Sequence, residues 1–326
     1  MRMFLIVVGG LLAVIVLALA GMIVFGTDKP TAPLASIGTA FEHVDFSDLP
    51  PIEQIPARRG SPIAFRVWRE SPLTPDPKLV VIAIHGSSAL SSSLHPLAKA
   101  LSAAGIAVYA PDIRGHGQTG TRGDIDDANE LDDDIADLTA TVTARHPNAK
   151  LVLLGFSSGG GFALHVDALP LGEKFTRAVL MSPMLGARAP TYRPGNMWAA
   201  PFIPRIIAIV LLHRLGIHAF DHLPVLAFAV APRRADILTG HYSFLLMRAF
   251  GTNDYAADFR QAHAPIAVLV GSNDDLFYAD KFAPTIAAVR SDIPVTIVPG
   301  LDHIEMTTDP RAVPAIVAAV RGDMNK

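Results

Sequence analysis

The chain has 326 residues, half of them hydrophobic and 17% charged, with a formal net charge of −3 and no cysteine. That is enough for one large domain or two small ones with a sizeable core. The near-neutral balance, without any Lys/Arg-rich run, leaves no electrostatic footprint for nucleic acid, and the lack of cysteine excludes disulfides, cysteine-ligated zinc and thiol nucleophiles together.

Phe4 to Phe25 is an unbroken run of apolar residues and glycine without a charge. As a helix it is long enough to cross a hydrocarbon core of about 30 Å. Arg2 and the α-amino group precede it, so the positive-inside rule places the N-terminus in the cytoplasm and everything after Phe25 outside. The expectation is a single-pass membrane protein, periplasmic if the source is bacterial, with residues 1–26 as its anchor. The rival is a signal peptide followed by secretion, because Ala18-Leu19-Ala20 resembles a cleavage site. Against cleavage, apolar residues continue through Met22-Ile23-Val24-Phe25.

Residues 27–60 are rich in proline and small residues and read as a tether. Ile63 to Arg69 alternates apolar and polar residues over its second half, as a half-exposed strand would. Leu79 to Ile84 is wholly apolar and rich in β-branched residues, a central strand buried on both faces. Strands and helices then alternate. Helical spacing covers Ser91–Ala104, Leu131–Ala144, Asp280–Arg290 and Arg311–Arg321. Strands are expected at Ile106–Ala110, Lys150–Leu154, Ala178–Met181, Ile266–Val270 and Val295–Val298. This order predicts an α/β protein with a doubly wound, mostly parallel sheet.

The alternation breaks over 184–263, an insertion that divides the α/β core into 61–183 and 264–326. It is expected as a mainly helical cap over the strand ends. Its apolar stretch Phe202–Leu212 reads as cap core, with a substrate channel or a bilayer-facing patch as alternatives.

The chemistry centres on Leu151 to Leu164, LVLLGFSSGGGFAL. A short apolar strand runs into Gly155-Phe156-Ser157-Ser158-Gly159, which fits G-x-S-x-G, and a helical pattern follows. That context makes the motif a nucleophile elbow, with Ser157 at the apex of a strained turn. Serine needs a base within hydrogen-bond reach and a third group to orient the base. Two loops follow later strands in the required order. Gly271-Ser272-Asn273-Asp274-Asp275 offers the acid, Asp274 being preferred over Asp275 on its spacing from Gly271. Pro299-Gly300-Leu301-Asp302-His303 offers the base, His303; Asp302 reads as a surface residue. The oxyanion of a tetrahedral intermediate needs backbone N–H donors. Ser158, opening the helix, and Ser87, in His85-Gly86-Ser87-Ser88, are the candidates. His85 is expected to hold that loop through hydrogen bonds, and Asp112, Arg114 and His116 to form a buried polar cluster bracing it. The acidic run Asp124–Asp137 reads as a helix start facing solvent rather than a metal site. No zinc-protease, P-loop or dinucleotide motif is present.

HGSS, PDIRGHGQTG, GFSSGG, GSNDD and GLDH, in this order, resemble the α/β-hydrolase superfamily. Within it, residues 60 to 322 are most similar to the serine-hydrolase branch of monoacylglycerol lipases and lysophospholipases, the serine aminopeptidase S33-like group. The resemblance implies an α/β-hydrolase fold with a lid at the insertion. It implies Ser157 as nucleophile, Asp274 as acid, His303 as base, and Ser87 and Ser158 as oxyanion donors. No cofactor and no metal are implied. The expected activity is hydrolysis of carboxylic esters, with a small-molecule or lipid ester as substrate and the membrane as partner through the N-terminal helix. Amide or peptide hydrolysis with the same triad is the alternative enzyme; a non-catalytic binding protein on this scaffold is the alternative of another class.

Overall fold

The computed structural model describes residues 1–25, 32, 37, 40–69, 77–231, 234 and 237–323. The chain opens with helix α1 (Arg2–Val24). Then come β1 (Glu53–Ile55), β2 (Ile63–Trp68), β3 (Leu79–Ile84), α2 (His95–Ala103), β4 (Ala107–Pro111), α3 (Glu130–Arg145), β5 (Lys150–Phe156), α4 (Ser158–Ala168) and β6 (Arg177–Met181). The insertion carries β7 (Ala199–Pro201), α5 (Ile203–His213), β8 (Pro224–Phe228), β9 (His241–Ser243), α6 (Phe244–Ala249) and α7 (Tyr255–Gln261). The main pattern resumes with β10 (Ile266–Gly271), α8 (Ala279–Ala287), β11 (Val295–Val298), α9 (Glu305–Thr308) and α10 (Val313–Arg321).

Eight strands form one sheet in the order β1-β2-β4-β3-β5-β6-β10-β11. Only β1–β2 and β2–β4 are antiparallel; every other pair is parallel. Side chains of a strand alternate between faces, so the wholly apolar β3 and β5 must feed two cores. They do. Val80, Ile82, Ile84, Leu151 and Leu153 join one cluster with Leu131, Ile135 and Leu138 of α3, Phe162 of α4 and Phe282 of α8. Val81, Ala83, Val152 and Leu154 join the other with Leu97 and Leu101 of α2 and Ile316 and Val320 of α10. The result is the three-layered α/β-hydrolase fold, with the parallel strand ends β3, β5, β6, β10 and β11 presenting their loops on one side.

Three features differ from the sequence reading. The insertion carries more than its helices α5, α6 and α7: β7, β8 and β9 form a separate three-stranded antiparallel sheet. These strands are three to five residues long, too short for a period of two to stand out, and prolines sit at Pro201 and Pro224. Its core is small, with Phe202, Ile209, Val225, Ala227 and Phe244 packed together. Second, β1 adds an antiparallel edge from within the stretch expected as tether. Third, the acidic run is not left to solvent. Asp133 and Asp137 hold the Arg58 guanidinium at 3.0 and 2.6 Å, and Asp134 takes Arg114 through two hydrogen bonds of 2.9 and 2.8 Å.

Among the described residues α1 is the one helix long and apolar enough to cross a membrane. Its C-terminal end rests on the cap. Ile23 is buried against Ala208 and Leu212, and Arg205 Nε donates to the Ile23 carbonyl at 2.9 Å.

Candidate active site

Strand β5 ends at Phe156 and α4 begins at Ser158, so Ser157 alone makes the turn. It does so with φ +57° and ψ −121°, a backbone region that costs a non-glycine residue about 1–3 kcal/mol. The surroundings hold it there. The Ser157 N–H donates to Met181 O at 2.9 Å, and its carbonyl accepts from the N–H groups of Gly160, Gly161 and Met184. The flanking glycines are dictated by space. A Cβ on Gly155 would lie 2.1 Å from Gly159 O, and one on Gly159 would lie 2.2 Å from His85 O.

Asp274 follows β10 and His303 follows β11, each in the loop after its strand. His303 Nδ1 lies 2.8 Å from Asp274 Oδ2, and both residues are buried, at 1% and 2% exposure. A carboxylate only accepts, so Nδ1 carries the proton and Nε2 keeps its lone pair. Oδ1 of Asp274 accepts from the N–H groups of Leu276 (3.0 Å) and Phe277 (2.8 Å). Burial pushes the Asp274 carboxyl up, but the facing His303, with smaller help from the Phe277 N–H, outweighs it and holds it below the ordinary carboxylate range. The His303 ring is flanked by Phe156 and Phe277, with centroids 4.8 and 5.1 Å away. Ser157 and His303 line one cavity. Asp275 is half-buried and lies outside these contacts. Asp302 is tied up just ahead of α9: its carboxylate accepts from Glu305 N–H, and the Glu305 carboxylate accepts from the Asp302 N–H, each at 2.8 Å.

Ser158 stands in the first turn of α4, where N–H groups have no partner within the helix. In the loop after β3 the Ser88 N–H is engaged, donating to the Tyr242 hydroxyl at 2.7 Å. The Ser87 hydroxyl accepts from Trp198 Nε1 at 2.9 Å. Ser87, Ser157 and Ser158 all line a second cavity.

The sequence model of the family described as serine aminopeptidase, S33, matches residues 75–311. The chain belongs to this family. Among curated proteins this S33 hydrolase is similar to a monoacylglycerol lipase of Mycolicibacterium smegmatis, 29% identical over 250 residues, which cover 75% of this chain and 86% of that one. It is also 28% identical over 167 residues to the monoglyceride lipase of Homo sapiens, covering 51% and 53% of the two chains. Among solved structures, a soluble variant of the Saccharomyces cerevisiae monoglyceride lipase superimposes with a TM-score of 0.61 at 16% identity, over 87% of this chain and 97% of that one. The Paleococcus ferrophilus monoacylglycerol lipase does so with 0.58 at 18% identity, over 80% and 99%. At such identities the structures establish the α/β-hydrolase fold.

In this S33 chain the expected brace of the β3 loop is a directed chain of hydrogen bonds. Ser88 N–H donates to Tyr242 Oη, whose hydroxyl lies 2.6 Å from His116 Nε2. His116 Nδ1 faces Ile113 O at 3.1 Å, which fixes Nδ1–H as donor and Nε2 as acceptor. Ile113 N–H donates to His85 Nε2 at 3.1 Å, and His85 Nδ1–H to Gly86 O at 2.8 Å. The chain therefore leaves the loop at Ser88 and returns to it at Gly86. Asp112 adds acceptors for the N–H groups of Ser91 and Gln118. Arg114 instead ties α3 to the carbonyl of Ser61.

Burial pushes both imidazoles below their ordinary value, His116 well below. Such groups are neutral in the fold and charge on unfolding. Their contribution to stability is therefore full above about pH 6.5 and is lost as pH falls below it. Between pH 7 and pH 5 the denaturant midpoint should fall further in the wild type than in His116→Gln, a difference that separates this imidazole from Asp134, Asp167 and His165, whose raised values act in the opposite sense.

Tyr242 and Trp198 were not legible as site residues. Both come from the insertion, more than 100 positions from the serines they touch, and neither lies in a motif. Tyr242→Phe leaves the Ser88 N–H and His116 Nε2 without their partner. A cost of about 1–3 kcal/mol per buried unsatisfied group is expected, read as a lower Tm, with a fall in kcat as the loop loosens.

Proposed function

We propose that this protein is a serine carboxylester hydrolase acting on lipid-derived esters such as monoacylglycerols or lysophospholipids. The observation that carries the reading is the buried Asp274–His303 hydrogen bond beside a serine held at φ +57° on the wall of the same cavity. His303 Nε2 takes the Ser157 proton as the hydroxyl attacks the ester carbonyl. Asp274 keeps the imidazole in the productive tautomer and stabilises the imidazolium. The N–H groups of Ser87 and Ser158 receive the oxyanion; that the Ser88 N–H is already engaged supports Ser87 for this role. The alcohol leaves with the proton from His303, and water hydrolyses the acyl-enzyme by the same steps.

The cavities support an apolar ester. Two of them, about 810 and 1220 Å³ counting space open to solvent, share Ser87, Ser157, Trp198 and Leu276. Acyl chain and leaving group can thus extend to opposite sides of Ser157. Ile37, Phe41, Leu94, Val230 and Leu238 line the first; Ile203, Ile206, Leu226, Phe228 and Met247 line the second. No Asp or Glu is among the described residues lining either. An aminopeptidase must accommodate a substrate ammonium, and desolvating that charge without a carboxylate is costly. Ester substrates therefore fit better than peptides with free N-termini.

The reading includes a membrane anchor at α1, with the N-terminus cytoplasmic and the hydrolase domain outside. Ile203, Ile207, Val210 and Leu211 on α5 are exposed beside the end of α1, an apolar face suited to the bilayer surface from which such substrates come.

Rates on a graded series of acyl esters and on an aminoacyl amide, with Ser157→Ala as control, test the reading. Long-chain esters should be preferred. Faster cleavage of the amide would overturn the substrate class, and no labelling by a fluorophosphonate would overturn catalysis by serine.

A further inference from the structure

A second cluster of ligating side chains lies in the cap, away from Ser157. Helix α5 closes with a Schellman turn: Ile217 N–H donates to Leu212 O and Gly216 N–H to His213 O, with Gly216 at φ +72° as this motif requires. The reversal carries the chain back past the end of its own helix. It brings His218 beside His213, with ring centroids 4.3 Å apart, and Asp221 against both. His213 Nε2 contacts Asp221 Oδ1, and His218 Nδ1 lies 3.2 Å from Asp221 Oδ2. One ligand atom from each of the three residues lies within 4.8 Å of the others.

We propose that His213, His218 and Asp221 form a site for a divalent transition metal of the zinc class, which ties the C-terminal end of α5 to the turn after it. Two imidazoles and one carboxylate are an N/O donor set that suits Zn²⁺, Co²⁺ or Ni²⁺ and disfavours Mg²⁺ or Ca²⁺. In a tetrahedral zinc site with bonds of about 2.0–2.1 Å the ligand atoms sit roughly 3.3 Å apart. Here the three ligand atoms lie within 4.8 Å of one another, so side-chain rotations would adjust them to that spacing on binding, with water as the fourth ligand. Asp221 gives the site its charge logic. It is buried at 6% exposure, and its side-chain partners among the described residues are the two imidazoles, with no guanidinium or ammonium. A buried carboxylate is stable when paired with positive charge, and a bound dication supplies it while the histidines stay neutral. The site is structural in position. Leu212 belongs to the cluster that receives Ile23 of α1, and Phe220 and Leu223 pack against that cluster, so the ion would fasten the turn on which the end of α1 rests.

The test uses the full-length chain in detergent, without a polyhistidine tag and stripped with a chelator. Adding Co²⁺ should give the visible d–d absorption of a tetrahedral site, saturating at one ion per chain and displaced by Zn²⁺. Saturating Zn²⁺ should raise Tm by several degrees. His218 is 62% exposed on its side chain, so His218→Ala should keep the fold while weakening binding at least tenfold. His222→Ala should leave binding unchanged, since His222 pairs with Asp124 instead. Absence of saturable one-to-one binding, or unchanged affinity in His218→Ala, would overturn the proposal.

Discussion

Ser157→Ala is expected to lower kcat for ester hydrolysis by about a millionfold, to the residual level that binding and oxyanion donors give alone. The fold should persist, because alanine occupies the same backbone conformation and the four hydrogen bonds around the elbow are all made by main-chain groups. Neighbouring Ser158 should not substitute, since it is already inside α4 and does not sit at the apex of the turn. The measurement pairs single-turnover hydrolysis with fluorophosphonate labelling of wild type and variant. A variant within tenfold of wild type would remove Ser157 from the mechanism.

Asp274→Asn should cost about 10⁴-fold in kcat while changing KM little. The reason lies in the donors around the carboxylate. Leu276 and Phe277 N–H groups both point at Oδ1, so the asparagine oxygen must take that side and its NH₂ must face His303. Nδ1 then has to accept, the proton moves to Nε2, and the imidazole can no longer receive the Ser157 proton. Stability gives a second readout. The Asp274 carboxyl is held below its ordinary range in the fold, so its contribution is full above the unfolded carboxyl value of about 3.9 and disappears as pH falls through the lower folded value. In the asparagine variant the stability-against-pH curve should lose that acid limb. Unchanged kcat with an unchanged acid limb would mean that Asp274 does not serve His303.

The core was legible because its signals are long and local. β3 and β5 are unbroken apolar runs, and two-sided burial is the only environment that accommodates them. Gly155, Ser157 and Gly159 were readable because a strained turn between strand and helix tolerates few sequences. Asp274 and His303 could be placed because chain order in a parallel sheet dictates which loops share an end. The insertion resisted the same treatment. β7, β8 and β9 are too short to repeat a period of two more than once or twice, and their pairing depends on partners up to 29 positions away. Arg58, Arg59 and Arg114 all meet the acidic run, yet nothing near Asp133 or Asp134 in the chain announces them. Tyr242 and Trp198 reach the β3 loop through space alone, and only coordinates reveal such contacts.

The junction between α1 and the cap has a mechanical side. At about 1.5 Å per residue the 23 residues of α1 form a rod about 35 Å long, clamped at one end by Arg205 on the Ile23 carbonyl and by Ile23 between Ala208 and Leu212. Helix α5, which carries that clamp, also supplies Ile203 and Ile206 to the wall of the cavity that opens on Ser157. The seat of the N-terminal rod and part of the cavity wall are thus two faces of one short helix.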